Sequence, residues 1–126
     1  MASNILVVDD AESIRTDLNV LLQNSGYMVT AASDGQLGLE AATSNEFDLI
    51  ITDVNMPRMN GLEMIDHIRQ TGKNSNTPIF VLTTESMRRF AKTCQELGAV
   101  VWIVKPYNPD MLLHYVGEFL SESAAN

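Results

Sequence analysis

Acidic residues stand directly after two apolar runs of the chain. Asp9 and Asp10 follow the run Ile5 to Val8, and Asp53 follows the run Leu49 to Thr52. If these runs are neighbouring parallel strands, three carboxylates converge at one sheet edge, where a hard divalent cation with oxygen ligands relieves their repulsion. We therefore predict a Mg²⁺ site. The alternative, in which the aspartates only start turns or cap helices, explains one of them well but three of them poorly.

A cation and a hydroxyl group follow two further runs. Lys105 stands after Val100 to Val104 and before Pro106, and Thr83 stands after Ile79 to Leu82. An ammonium group beside three carboxylates and a metal would complete an anion site for a phosphoryl group, to which a hydroxyl adds a donor. Taken singly, such a lysine is usually solvated and such a threonine usually bonds to nearby backbone, so the prediction depends on their combination.

These side chains must be positioned by alternating strands and helices. The four runs above and Tyr27 to Ala31 are rich in Val, Ile and Leu, and three of the five are nearly unbroken, as in parallel strands covered on both faces. Between the runs the apolar spacing changes toward the helical period, with Asp34 and Asn108 as expected N-caps and Gly26 near a helix end. The alternation predicts an α/β fold whose ligand site lies at the carboxyl ends of the strands.

Length and charge limit the function classes. We expect a single domain over residues 1–126, with 121–126 as a frayed polar tail. The net charge of -8 repels phosphate backbones and anionic lipid, so we expect no direct binding to nucleic acid or to a membrane. Because Cys94 is the only cysteine, no internal disulfide can form, and without a signal peptide or a long apolar stretch we expect a cytoplasmic protein.

Taken together, these residues resemble the receiver domain of two-component response regulators, over nearly the whole chain. The matching pieces are Val8-Asp9-Asp10, Asp53-Val54-Asn55-Met56-Pro57 with Gly61, Thr83, and Lys105-Pro106. Asp53 and Thr83 are 30 positions apart and Thr83 and Lys105 are 22 apart, a spacing similar to that of the chemotaxis regulator CheY and its relatives. The resemblance implies a flavodoxin-like (CheY-like) three-layer α/β fold with five helices and a five-stranded parallel sheet of order 2-1-3-4-5.

The resemblance also implies roles for the matching residues. Asp53 would accept a phosphoryl group from the phosphohistidine of a sensor histidine kinase, and Mg²⁺ would be held by Asp9, Asp10, Asp53 and the backbone carbonyl of Asn55. Lys105 would pair with a phosphoryl oxygen. Fixed positive charge and positioning supply most of the catalysis in phosphoryl transfer, and a carboxylate nucleophile needs no general base. Water attack on the acyl phosphate would then reset the protein.

The resemblance also implies that one hydroxyl residue and one aromatic residue change position when the protein is phosphorylated. In receiver domains the hydroxyl that corresponds to Thr83 moves toward the phosphoryl group, and an aromatic residue on the fifth strand turns inward. The matching aromatic is Trp102, where Tyr or Phe is commoner, and the alternative is a Trp that stays at the surface. Asn55 and Glu85 match the pair that tunes acyl-phosphate lifetime in the chemotaxis subfamily. Thr84 replaces the usual Ala or Gly, and its bulk is expected to narrow access to the acceptor.

A basic stretch in the predicted fourth helix is expected to bind a protein partner, because the fourth helix, fifth strand and fifth helix form the output surface of receivers. A basic rim around exposed aromatic residues suits a partner with an acidic segment. The expected partner surface comprises Arg88, Arg89, Lys92, Trp102, Tyr107 and Tyr115. The alternative is that the charges form only a solvated helix face.

The leading interpretation is a stand-alone, monomeric receiver that binds a downstream protein target when phosphorylated, with chemotaxis as the pathway and the flagellar motor switch as a candidate target. Alternatives within the family are a shuttle receiver and the excised receiver of a multidomain regulator. A Mg²⁺-dependent phosphatase fits poorly, because such enzymes commonly carry two aspartates two residues apart on the first strand, whereas Asp9 and Asp10 are adjacent. A scaffold that accepts no phosphate is disfavoured by the intact acidic trio and Lys105.

Overall fold

The computed structural model describes residues 3–54, 56, 59–70, 72–84 and 89–125. The strands are β1 (Asn4–Val8), β2 (Met28–Ala32), β3 (Leu49–Asp53), β4 (Ile79–Thr83) and β5 (Ala99–Val104). The helices are α1 (Glu12–Asn24), α2 (Gly35–Ser44), α3 (Gly61–Gln70), α4 (Ala91–Glu96) and α5 (Pro109–Ala125). Each predicted apolar run corresponds to a strand whose ends agree with the prediction to within one residue.

The strands of the described chain form one parallel sheet in the order β2-β1-β3-β4-β5, which confirms the predicted flavodoxin-like topology. β1 lies between β2 and β3, so the strand order reverses there, and doubly wound sheets bind ligands at such a reversal. In the β1–β3 register Val8 is opposite Thr52. The next residues, Asp9 and Asp53, therefore come side by side at the carboxyl edge of the sheet.

Both faces of the sheet are covered, as the unbroken apolar runs predicted. We call the two buried layers the α3 face and the α5 face. The α3 face includes Leu6, Ile50, Val81, Met64, Ile65 and Cys94. The α5 face includes Ile51, Phe80, Leu18, Leu22, Leu112 and Val116. Because successive residues of a strand alternate between the two layers, the central strands have to be apolar throughout.

Side chains fix the starts of two helices as predicted. Oδ1 of Asp34 accepts the N–H of Leu37 at 2.9 Å at the start of α2. Oδ1 of Asn108 accepts the N–H of Met111 at 3.0 Å, and α5 begins with the proline that follows Asn108. Each bond satisfies one of the backbone donors that have no partner within the first helical turn. Both predicted N-caps are confirmed.

The structure also defines the start of α3 and the end of α5. Asn60 caps α3 reciprocally, since its Oδ1 accepts the N–H of Glu63 at 2.9 Å and Oε1 of Glu63 accepts the N–H of Asn60 at 3.4 Å. α5 continues through Ala125, so most of the segment 121–126 that was expected to fray has a helical backbone. Ser, Glu and Ala permit this continuation, because neither Gly nor Pro interrupts them. Among the described residues, no helix has both the length and the apolar character needed to cross a membrane.

The amino-terminal edge of the sheet is held by Arg69, near the end of α3. Nε donates to the carbonyl of Leu97 at 2.9 Å, and Nη2 donates to that of Gly98 at 3.2 Å. Nη1 donates to the carbonyls of Thr77 at 2.8 Å and Ser75 at 3.1 Å. Burial lowers the pKa of the guanidinium. One side chain thus ties the loop before β4 to the loop before β5, a contact that no sequence pattern marks.

Candidate functional site

Three carboxylates meet at the carboxyl edge of the sheet. Asp53 is the last residue of β3 and Asp9 directly follows β1, and their exposed fractions are 7% and 0%. Asp10 comes next along the chain and is exposed. One carboxylate oxygen from each of the three lies within 4.8 Å of the others. The adjacency of β1 and β3 therefore brings together three aspartates that lie up to 44 positions apart in the sequence.

Lys105 follows β5 and lies between two of these carboxylates. Its Nζ donates to Oδ2 of Asp9 at 2.8 Å and to Oδ2 of Asp53 at 3.1 Å. Its backbone N–H donates to the carbonyl of Thr83 at 2.6 Å, which fixes Lys105 to the end of β4. Burial by itself lowers the pKa of Lys105, but the hydrogen bond to Asp9 and the charges of Asp53 and Asp9 outweigh burial, so the pKa is raised. The ammonium group stays charged and offsets part of the carboxylate repulsion.

Every polar group of Asp9 has a partner. Its N–H donates to the carbonyl of Ala32 on β2 at 3.1 Å, and its Oδ1 accepts the N–H of Ala11 at 2.9 Å. Oδ2 accepts from Lys105, and the backbone carbonyl accepts from Nη1 of Arg15 at 2.8 Å. Arg15 was not among the predicted site residues. The signal that could have found it is a basic residue in the first turn of the helix that follows an acidic pair.

The donor set suits a hard divalent cation. The cluster consists of three carboxylates, and carboxylate oxygens are the ligands that Mg²⁺ prefers in proteins. The exposed Asp10 leaves the cluster accessible to an ion that keeps several of its waters. The residues present therefore fit Mg²⁺. Asn55, whose backbone carbonyl the resemblance assigns as a further ligand, lies outside the described residues.

The two expected switch residues share one face of the sheet. Thr83 ends β4 and is fully buried, and its Oγ1 donates to the carbonyl of Thr84 at 3.3 Å. In the β4–β5 register Val81 is opposite Trp102, and Val81 and Thr83 point to the same face because side chains alternate along a strand. Trp102 packs partly buried on that α3 face. Thr84 is exposed, and Glu85 lies outside the described residues.

Part of the expected partner surface lies around α4. Arg89 and Lys92 are exposed, and Cζ of Arg89 is 4.8 Å from the centre of the Phe90 ring. Trp102 packs on the same side of the sheet as α4. Arg88 lies outside the described residues.

The predicted tyrosines pack on the other side of the sheet. Tyr107 and Tyr115 are partly buried against the α5 face, and Tyr107 lines a cavity of about 360 Å³ with Asp17 and Leu21 of α1. Burial and the charges of Asp17 and Asp9 raise the pKa of the Tyr107 phenol. Tyr107 and Tyr115 therefore lie on the opposite side of the sheet from Trp102 and α4, and their part in the expected partner surface stays a prediction. The chain after β5 passes toward α1 before α5 begins, and a sequence pattern does not reveal that direction.

Comparison with known proteins identifies similar chains. Residues 5–117 match the family model described as the response regulator receiver domain. Response regulator ArlR of Staphylococcus haemolyticus is 37% identical over 110 residues, which cover 87% of this chain and 49% of ArlR. The alkaline phosphatase synthesis transcriptional regulatory protein PhoP of Bacillus subtilis is 40% identical over 109 residues, which cover 86% of this chain and 45% of PhoP. The chain thus spans about half the length of these curated relatives.

One solved structure is also similar to this chain over nearly its whole length. The chemotaxis response regulator CheY4 of Vibrio cholerae matches with a TM-score of 0.88 and 40% sequence identity. The match covers 95% of this chain and 100% of that chain. The likeness therefore concerns the complete arrangement of sheet and helices described above.

Proposed function

Because the chain belongs to the family of response regulator receiver domains, we propose that it is a phosphorylation-activated switch in which Asp53 accepts a phosphoryl group. The donor is the phosphohistidine of a sensor histidine kinase, the class of protein with which receiver domains interact. The observation that carries the proposal is the meeting of Asp9, Asp10 and Asp53 within 4.8 Å, beside the ammonium group of Lys105.

Transfer requires a nucleophile, a leaving group and positive charge. An oxygen of the Asp53 carboxylate attacks phosphorus, the P–N bond to the imidazole breaks, and the histidine leaves with the electron pair of that bond. Asp9, Asp10 and Asp53, with the backbone carbonyl of Asn55, would hold Mg²⁺, and the ion would supply positive charge that offsets the charge of the phosphoryl oxygens. Lys105 already donates to Asp53 and is placed to donate to a phosphoryl oxygen instead.

The phosphorylated state ends by hydrolysis in the same site. Water attacks the phosphorus atom of the acyl phosphate, which releases inorganic phosphate and restores the Asp53 carboxylate. We propose that Asn55, Thr84 and Glu85 tune this rate, and the exposure of Thr84 beside buried Thr83 supports the proposal. Thr84→Ala is expected to accelerate hydrolysis or phosphorylation by acetyl phosphate, and equal rates in the two proteins would refute this role.

The switch is proposed to couple Thr83 to Trp102. Their common position on the α3 face, two residues apart in register, supports the coupling. Trp102 is the only tryptophan in the chain, so intrinsic tryptophan fluorescence reports on this residue alone. Phosphorylation is expected to change the fluorescence of the wild type but not that of Thr83→Ala. A wild-type signal that does not respond to phosphorylation would favour a Trp that stays in one position.

The similar proteins support two different roles for this receiver domain. The likeness to CheY4 supports a chemotaxis response regulator, and in that role we propose a monomer that binds a protein target such as the flagellar motor switch. The likeness to ArlR and PhoP supports the receiver of a longer regulator, and it removes the support for the expectation that nucleic acid is not bound. Fluorescence anisotropy with a labelled peptide from a motor switch protein distinguishes them. Binding that strengthens on phosphorylation favours chemotaxis, and no binding in either state favours the longer regulator.

The acceptor is tested by incubation with acetyl phosphate and Mg²⁺ followed by mass spectrometry. The wild type is expected to gain one phosphoryl group, and Asp53→Asn, which keeps the side-chain size but removes the nucleophile, is expected to gain none. A gain on both proteins would place the acceptor elsewhere. A gain on neither would favour a scaffold that is not phosphorylated.

A further inference from the structure

We infer that Arg15 is a positioning residue of the acidic site, one that holds the peptide group between Asp9 and Asp10 and thereby directs the carboxylate of Asp10. The inference rests on the proposed function of the cluster as a Mg²⁺ site. Nη1 of Arg15 donates to the carbonyl oxygen of Asp9 at 2.8 Å. The donor comes from the first turn of α1, six positions further along the chain.

The bond acts on the backbone that carries two of the three carboxylates. A peptide group is rigid, so rotation of the Asp9–Asp10 peptide plane changes ψ of Asp9 and φ of Asp10, and with them the direction of the Asp10 side chain. The preceding peptide group is held because the N–H of Asp9 donates to the carbonyl of Ala32. The following peptide group is held because the N–H of Ala11 donates to Oδ1 of Asp9. Arg15 completes the set, so three successive peptide groups around the acidic pair are anchored.

The carboxylate of Asp10 depends on this anchoring more than the carboxylates of Asp9 and Asp53 do. Lys105 donates to the carboxylates of Asp9 and Asp53, whereas the carboxylate of Asp10 accepts no hydrogen bond from any residue that the structure describes. Asp10 is also exposed, so packing does not restrict its side chain. One of its oxygens nevertheless lies within 4.8 Å of oxygens of the other two aspartates. Its backbone is what keeps it there.

Arg15 has two effects of opposite sign on a bound cation. Its positive charge repels Mg²⁺, so loss of the charge strengthens Mg²⁺ binding, whereas loss of the anchor weakens it. Arg15 is partly exposed, and solvent and salt screen its charge. The hydrogen bond has a charged donor and a short length, which makes it one of the stronger kind. Loss of the anchor therefore outweighs loss of the charge, and replacing Arg15 is expected to weaken Mg²⁺ binding.

The test is calorimetric titration of the metal-free protein with MgCl₂. In Arg15→Met, which keeps the side-chain length but removes donor and charge, the Mg²⁺ dissociation constant is expected to rise by about threefold to tenfold. Arg15→Lys is expected to show a smaller rise, since an ammonium group can still donate to a carbonyl. A dissociation constant that is unchanged or lower in Arg15→Met would overturn the inference.

Two variants serve as controls. Thr16→Ala alters an exposed neighbour on the same helix, and Lys73→Met removes an exposed positive charge before β4. Both are expected to bind Mg²⁺ like the wild type. If melting in EDTA shows that Arg15→Met is unfolded, Arg15→Gln replaces it, with the same expected weakening.

A kinetic measurement separates positioning from a general loss of structure. Phosphorylation of Arg15→Met by acetyl phosphate is expected to be slow at low Mg²⁺ and to approach the wild-type rate at saturating Mg²⁺. A deficit that persists at saturation would overturn the inference, because it indicates damage beyond metal binding. If the wild type itself binds no Mg²⁺, the proposed metal site fails and the inference fails with it. If the wild type and Arg15→Met bind Mg²⁺ equally well, the inference alone fails.

Discussion

Nζ of Lys105 and Oδ2 of Asp53 lie 3.1 Å apart, although 52 positions separate the two residues along the chain. The pair forms because β3 and β5 end at the same edge of the sheet, with β4 between them. Asp53 is nearly buried, and the ammonium group of Lys105 offsets its charge and that of Asp9. The contribution of this ammonium group to stability can be measured separately from any transfer chemistry.

Replacing Lys105 by Met is expected to lower the free energy of unfolding by about 1–3 kcal/mol at neutral pH in EDTA, because Asp9 and Asp53 lose their cationic partner. Mg²⁺ is expected to narrow the difference, since a bound cation offsets the same carboxylates. Urea denaturation with and without Mg²⁺ measures both effects. Lys92→Met is the matched control, as Lys92 is exposed on α4. An equal loss in the two variants would contradict a specific role of Lys105.

The stabilisation from Lys105 is expected to vanish at alkaline pH. Its pKa in the folded protein is raised above the ordinary 10.5, so the folded state holds this proton more tightly than the unfolded chain does. The contribution is therefore complete below pH 10.5 and declines as the pH rises through the folded-state pKa. The measurement is the difference in unfolding free energy between wild type and Lys105→Met in EDTA, from about pH 7 to about pH 11. A difference that grows toward alkaline pH would show that the sign is wrong.

Gly61→Ala is expected to disturb the acceptor. A Cβ at this position would clash with the carbonyl oxygen of Asp53 and would lie 3.0 Å from Cα of Val54. The end of β3 must shift, which is expected to cost about 1–3 kcal/mol of stability and to weaken Mg²⁺ binding. Thermal melting and calorimetric titration measure the two effects.

The control for Gly61→Ala is Gly26→Ala, at the turn after α1. Gly26 has φ of 95°, and a Cβ there would meet no described atom within 4 Å. The left-handed backbone is expected to cost about 1–2 kcal/mol, with no change in Mg²⁺ affinity. If both variants keep the wild-type Mg²⁺ affinity, Gly61 matters for folding alone.

Arg69→Ala is expected to lower the free energy of unfolding by about 2–4 kcal/mol, because the carbonyls of Leu97, Ser75, Thr77 and Gly98 lose a shared donor. Arg69→Lys is expected to recover little, since one ammonium group cannot span the loops that the planar guanidinium joins. Mg²⁺ affinity below the melting temperature is expected to stay unchanged, as Arg69 lies at the opposite edge of the sheet. Weaker Mg²⁺ binding in Arg69→Ala would show that the two edges are coupled.

The fold was largely predictable from the sequence. The unbroken apolar runs, such as Leu49 to Thr52, require strands covered on both faces, and the strand ends agree with the prediction to within one residue. Local chemistry also placed the N-caps Asp34 and Asn108, because a cap depends on residues three positions away. The strand order came from the family resemblance, since periodicity reveals strands but does not say which of them are neighbours.

The site was predictable where its residues end strands. Asp9, Asp53 and Lys105 each follow an apolar run, and a parallel sheet brings the carboxyl ends of its strands to one edge. Arg15 and Arg69 were missed because both act on backbone carbonyls, and no pattern of side-chain types marks which carbonyl a long side chain will reach. The face on which Tyr107 lies was not predictable for a related reason. The direction that the chain takes after β5 depends on how α5 packs against α1.

The sequence by itself determined which segments become strands, which residues cap the helices and which types of side chain stand at the strand ends, because each depends on neighbours along the chain. Only the tertiary structure decided which carboxylate Lys105 reaches, that Arg15 holds the carbonyl of Asp9, and on which face Tyr107 lies. Such contacts join distant segments through long side chains of many rotamers, and packing of the whole chain selects among them.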